Sequence, residues 1–290
     1  MDDGFRGFWH EQRPRLNTPY RYKYSGGLGT YCHSHQPFSV YCPEVHQTFF
    51  CWGGTSRAWE EQRSLPRFDW GEGMLLHQVG VYDHHAKKVH RPVILLDKWC
   101  GDAHDNPVIS VDPEGYLWVF SPSHANWTTP SYIHKSKKPF STTGGFEKIT
   151  EGLFAYPQAF WERETGLNLF HVQYLEGRAL RLISSPDGRH WSHPKALALI
   201  GEGSYQIAHV EGRHLAIIFD HHPAGRGVDG RTNLYYMESF DGGENWQNAF
   251  GKPLVLPLTA VDNPALVLEA LSQDLLVYVK DLQFDAKGKP

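Results

Sequence analysis

Residues 102–124 read DAHDNPVISVDPEGYLWVFSPSH, with a histidine near each end, two apolar runs, and Asp-Pro-Glu-Gly between them. β-branched and aromatic residues fill both runs and a Pro/Gly turn separates them, so the stretch predicts an antiparallel hairpin. In a hairpin the first strand starts where the second ends. His104 and His124 are therefore predicted to emerge side by side at the open end.

The same pattern recurs along the chain. Copies start at His35 (HQPFSVYCPEVHQTFFCWGG), His104, Tyr156 (YPQAFWERETGLNLFHVQY), Tyr205 (YQIAHVEGRHLAIIFDHH) and Asp262 (DNPALVLEALSQDLLVYVKD), spaced by 69, 52, 49 and 57 residues. A third strand follows each of the first four: MLLHQVGVYDHH, PSYIHKSKK, RALRLISSPDG and NLYYMESFDGG. Two of these run into SSPDGRHW (184–191) and SFDGGENW (239–246), the Asp-box pattern. In such a turn an Asp carboxylate accepts backbone N–H groups, glycine supplies the unusual dihedral, and Trp packs beneath. Four-stranded units at this repeat predict an all-β fold, a β-propeller occupying residues 1–290 as a single domain. Four units and one hairpin leave the ring incomplete, so a propeller cut short at its C-terminus is expected.

Composition agrees. The 290 residues include 28 glycines and 19 prolines spread along the chain, as many short strands and turns require, and 14% aromatics with ten Trp. A net charge of −4 and the lack of a basic stripe argue against nucleic acid as a partner. No apolar run is long enough for a membrane span. Cys32, Cys42, Cys51 and Cys100 show no metal-binding spacing and read as buried free thiols. The N-terminal MDDGFRGFWH has no leader pattern, which leaves the compartment unread.

Eighteen histidines are the compositional outlier. In a propeller the first strand of each blade lines the central channel, so the open ends of the hairpins share one rim. That rim collects His35, His104, His124, Tyr156, His171, Tyr205, His221, His222, Asp262 and Asn263. The turn ends carry ordinary polar residues (PEVH, DPEG, RETG, VEGR). Any single histidine at a strand end is more commonly a satisfied polar residue than a catalyst, but five repeats placing His or Tyr at equivalent ends favour a shared site. His84, His85, His190 and His193 read as surface residues. A rim metal is compatible with His33 and His35, which alternate on one strand face. No organic cofactor is expected, and a divalent cation such as calcium or zinc remains open.

Imidazoles and phenols with few acids make an unusual hydrolase. Most glycosidases need two opposed carboxylates, and the rim offers only Asp105, Asp220 and Asp262. A sialidase needs an arginine cluster, and Arg231 alone is well placed. The set suits β-elimination on a uronic acid, where a base takes the C5 proton, an acid protonates the oxygen leaving C4, and cationic donors neutralise the carboxylate.

The stretch 102–124, with AYPQ (155–158) and RTNLYYMESFDGGENW (231–246), resembles the BNR-repeat β-propeller polysaccharide lyases, a group that includes the ulvan lyases. YKYSGGLGTYC (22–32) is similar to the start of the L-rhamnose-α-1,4-D-glucuronate lyases, a subgroup that also holds proteins described as α-L-rhamnosidases. The resemblance implies seven blades, secretion or a periplasmic location, and a substrate containing uronic acid and rhamnose. It implies that His104 and His124 act as base and charge neutraliser, Tyr156 as acid or base, and Arg231 as the grip on the uronate. His35, Asn106, Tyr205, His222 and Asn263 complete the expected binding set. One departure stands out: relatives carry an arginine in the strand that here reads LFHVQY, where this chain has His171, Val172 and Gln173. The leading expectation is a lyase of rhamnose-α-1,4-glucuronate linkages. The alternatives are an α-L-rhamnosidase, which is a hydrolase, and a catalytically weak sugar-binding propeller.

Overall fold

The structure, a computed structural model, describes residues 34–54, 75–100, 103–124, 130–174, 177–227 and 230–290. His33, Cys32, the stretch 22–32 and the polar loop after Gly54 lie outside the described residues. Two compact units divide the chain, Met1–Ala159 and Phe160–Pro290.

The first unit holds two antiparallel sheets. One is built from β1 (Ser39–Cys42), β2 (Gln47–Gly54), β3 (Leu76–Asp83), β4 (Lys88–Val89) and β5 (Val93–Asp97), the last pairing with β3. The other runs β6 (Val108–Val111), β7 (Leu117–Ser121), β8 (Ser131–Ser136) and β9 (Phe146–Gly152) in simple up-and-down order. The hairpin of 102–124 forms as expected, with Val108 opposite Phe120 and Val111 opposite Leu117. Asp112 makes its turn: Oδ1 accepts the N–H of Tyr116 at 2.8 Å, and Oδ2 accepts Trp118 Nε1–H at 2.8 Å. Phe49, Cys51, Val79, Val81, Ile109, Leu117 and Val119 form the core between the strands. Each large apolar side chain buried there contributes about 1.5–3 kcal/mol. Cys42, Cys51 and Cys100 are buried free thiols.

The unit division falls within β10 (Ala155–Glu162), which leads the third sheet through β11 (Gly166–Tyr174), β12 (Arg178–Ser185) and β13 (Lys195–Ala198). The fourth sheet follows the same order with β14 (Gln206–Glu211), β15 (His214–His221), β16 (Thr232–Ser239) and β17 (Gln247–Asn248). The serine–aspartate turns after β12 and β16 are alike. Ser185 Oγ accepts Gly188 N–H at 2.7 Å and Ser239 Oγ accepts Gly243 N–H at 2.9 Å. Asp187 Oδ1 accepts two successive N–H groups, as does Asp241 Oδ1. The N–H of Asn245 leads in pulling the Asp241 carboxyl down to about 2.

The fifth hairpin takes a different form. Only β18 (Leu266–Leu268) is a strand, and it pairs with β16. Asn233 Oδ1 captures the N–H groups of Ala270 and Leu271, so the expected turn is drawn against the start of β16. The second arm stays beside β16, with Val277 N–H on Arg231 O at 3.0 Å. Val279 and Leu282 then bury their side chains against Ile207 and Tyr236.

Candidate active site

In the first unit, His104 and His124 flank the base of the β6–β7 hairpin. Their rings stack at 4.2 Å between centroids with 21° between planes. Tyr156 stands edge-on to both, at 5.6 Å from His104 and 5.9 Å from His124. His35 joins from the segment before β1: its ring lies 5.6 Å from Tyr156, and its Nε2–H donates to the His104 carbonyl at 2.9 Å.

Tyr156 has φ of 50°, a left-handed conformation unfavourable for a side-chain-bearing residue and more so before Pro157. Gln36 holds it there. Gln36 N–H donates to Pro157 O at 3.1 Å, Gln36 O accepts Ala159 N–H at 3.0 Å, and the two amide side chains of Gln36 and Gln158 bond at 2.9 Å. Strain retained against such a clamp is characteristic of functional positions.

Beneath the rings lies a buried polar layer. Asp105 Oδ1 accepts the His124 N–H at 2.7 Å, and Oδ2 accepts the Cys100 thiol at 3.2 Å. Asp105 thus fixes one histidine through a hydrogen bond and the other through the chain, since it follows His104. Lys98, almost fully buried, donates to Pro130 O at 2.6 Å. Burial lowers its ammonium pKa, and the Asp105 carboxylate partly offsets this. His77 bonds Ser121 Oγ at 2.8 Å, and burial holds its imidazole well below its ordinary range. Asn106 is fully buried against Gly53, and a Cβ on Gly53 would come within 1.7 Å of its Oδ1.

In the second unit, Arg231 and Tyr205 come together: the Arg231 guanidinium lies 4.2 Å from the Tyr205 ring centroid and 4.9 Å from that of Tyr278. Asp220 Oδ1 accepts the Tyr205 N–H at 2.8 Å. Burial raises the Asp220 carboxyl to about 6, outweighing the Tyr205 N–H and the Arg231 and Arg178 charges. His222 is buried beside Arg178. Asn263 works within its own turn, with Nδ2–H on Ala260 O and Oδ1 accepting Ala265 N–H. His171 is buried, and burial lowers its imidazole to about 4.

Arg178 and Lys98 escaped the sequence reading. A third strand starts at the hairpin's open end, and a strand pairing with it ends there, as Leu76 opposite Asp97 shows. Scanning those positions as well finds both cations. The turn ends are less plain than expected: His46, His84 and His85 cluster there, with rings 4.5–4.9 Å apart about His46. Among the described residues, no group of three His, Cys, Asp or Glu side chains is arranged to hold a metal ion.

Four-stranded antiparallel sheets with an imidazole–phenol cluster at strand ends define the class. The chain belongs to the BNR repeat-containing family, whose sequence pattern matches residues 55–290. Among curated proteins, none matches the sequence. An ulvan lyase of polysaccharide lyase family PL25 shares the fold with TM-score 0.72 at 18% identity over 90% of this chain. The same enzyme bound to -[GlcA(1-4)Rha3S]- gives the same values. Polysaccharide lyase Uly1 matches with TM-score 0.60 at 16% identity, over 89% of this chain and 63% of its own. The chain spans 64% of the length of the PL25 ulvan lyase.

Proposed function

We propose that the protein is a polysaccharide lyase that cleaves the bond between rhamnose and C4 of glucuronate by β-elimination. The observation that carries this reading is the stacked His104–His124 pair with Tyr156 edge-on to both rings. One imidazole removes the C5 proton while its neighbour neutralises the carboxylate. The C–H electron pair becomes the C4=C5 double bond, the C4–O bond breaks, and the leaving oxygen takes a proton from the Tyr156 hydroxyl. His35, which bonds the His104 carbonyl, and Asn106 complete the binding set beside the pair. In the second unit, Tyr205 and Arg231 bind an anionic group of the sugar chain.

Likeness in fold to an ulvan lyase bound to -[GlcA(1-4)Rha3S]- supports a uronate–rhamnose substrate. The up-and-down sheets and the two serine–aspartate turns support blades of a propeller carrying Asp boxes, with seven blades in the ring.

Incubation with a rhamnose–glucuronate polymer tests the reading. Ultraviolet absorbance from an unsaturated uronate should rise, and His104→Ala or His124→Ala should abolish the rise. Free rhamnose released without that absorbance would refute elimination in favour of hydrolysis.

A further inference from the structure

The second unit carries a cation that no part of this reading has used. Arg178 opens β12, and its guanidinium lies 5.1 Å from the Tyr205 ring centroid, so Tyr205 has two guanidiniums against it. Among the described residues its buried Nε–H has no hydrogen-bond partner.

The loop Gly201-Glu202-Gly203 fixes where Arg178 sits. Arg178 N–H donates to Glu202 O at 3.2 Å, Ser204 N–H to Arg178 O at 3.4 Å, and His222 N–H to Gly203 O at 3.1 Å. The start of β12 and the end of β15 are thereby tied to the same three residues. Gly203 has φ of 108°, and a Cβ on it would come within 2.5 Å of Arg178 N. Only glycine permits this splice.

His222 is 1% exposed, and both ring nitrogens are engaged. Its Nε2–H donates to the Gly227 carbonyl, which leaves Nδ1 as the acceptor for the Arg178 guanidinium. An imidazole so placed faces Arg178 rather than a ligand. The charged groups gathered here are two guanidiniums and the buried Asp220 carboxylate. Glu202 is exposed and accepts the Gly225 N–H at 3.3 Å. One positive charge is left over for a ligand.

We propose that Arg178 is an anion-recognition residue that acts with Arg231 beside Tyr205 on a carboxylate or sulfate group of the sugar chain, and that His222 is its positioning residue. The proposal rests on the carbohydrate reading above in taking the ligand to be an acidic sugar. A guanidinium presents a fork of donors that matches either oxyanion. Register places Arg178 opposite Tyr174, one position beyond Gln173.

Calorimetric titration of the whole chain with a rhamnose–glucuronate oligosaccharide tests this, using its carboxylate, carboxyl-reduced and O-sulfated forms. Arg178→Gln should weaken binding of an anionic form about 10- to 100-fold and leave the neutral reduced form unchanged. Loss with the unsulfated carboxylate form identifies a uronate ligand, and loss confined to the sulfated form identifies a sulfate ester. Arg178→Lys should lose less. His222→Leu should match Arg178→Gln, and His222→Gln, which keeps an acceptor, should retain most of the affinity. If the wild-type protein binds none of the forms, the carbohydrate reading falls and this proposal with it. If it binds them and Arg178→Gln binds equally tightly, the proposal alone is overturned. Equal losses on charged and neutral forms in both Arg178 variants would also overturn it.

Discussion

Replacing Asp105 by Asn tests whether the layer beneath the histidine pair sets their geometry. Asp105 is 2% exposed and accepts the His124 N–H at 2.7 Å, and its charge acts on the buried Lys98. The substitution keeps an acceptor but removes the charge that most offsets the burial of the Lys98 ammonium. Breaking such a pairing costs about 3–5 kcal/mol. At roughly 2–4 °C per kcal/mol, the melting temperature should fall by roughly 10 °C. The pH dependence carries a sign. The folded-state pKa of Lys98 lies below its ordinary 10.5, and losing Asp105 lowers it further. The folded variant then binds fewer protons than the unfolded chain over a wider window, so its deficit shrinks as pH rises from neutral towards 10.5. Adding Lys98→Met should restore much of the stability at neutral pH, because coupled neighbours are not additive. Elimination by Asp105→Asn should also fall, by about 10²-fold if His124 shifts by 1 Å. Thermal melts at neutral and alkaline pH, with the double variant alongside, read all of this. A variant that melts like wild type, or a deficit that Lys98→Met fails to relieve, would refute the reasoning.

Three further outcomes follow from the same geometry. Gly53→Ala sets a Cβ 1.7 Å from Asn106 Oδ1, and overpacking should cost about 1–3 kcal/mol in a denaturant titration, with activity falling as Asn106 is displaced. Tyr156→Phe should melt close to wild type yet lose about 10²–10⁴ in kcat, as removal of a positioned acid or base does; unchanged turnover would strip Tyr156 of its role. The Asp220 carboxyl rises from 3.8 to about 6 on folding, so its contribution to stability falls as pH climbs through that window. Asp220→Asn should remove the fall and be more stable at pH 7 by up to about 3 kcal/mol, and parallel stability curves for the two proteins would contradict it.

Much of the architecture was legible because hairpin patterns depend on local chemistry. The Val-Ile-Ser-Val and Leu-Trp-Val-Phe runs, with Asp112 between them, are enough to pair Val108 with Phe120. That pairing brings His104 and His124 together without reference to distant residues. The segment 262–281 reads the same way but behaves otherwise, since Asn233, far earlier in the chain, takes the N–H groups its turn would need. Competition of that kind leaves no local trace.

The polar layer was hidden for a similar reason. Asp105 stood out as a rim acid, but its bond to the His124 backbone spans 19 residues and is visible only once the hairpin is closed. Lys98 follows the end of β5 and Arg178 opens β12, and such strand ends share the rim by antiparallel alternation. His222 reads as a substrate ligand by position, and its ring bonds to the Arg178 guanidinium and the Gly227 carbonyl appear only in the folded chain.

The measurement closest to the central claim is mass spectrometry of products formed in heavy-oxygen water from a rhamnose–glucuronate oligosaccharide. Elimination breaks the C4–O bond without adding water. The account therefore predicts an unsaturated uronate with no heavy oxygen in either fragment, formed by wild type and lost in His104→Ala. A heavy oxygen incorporated at the cleaved bond would mean hydrolysis and would contradict it.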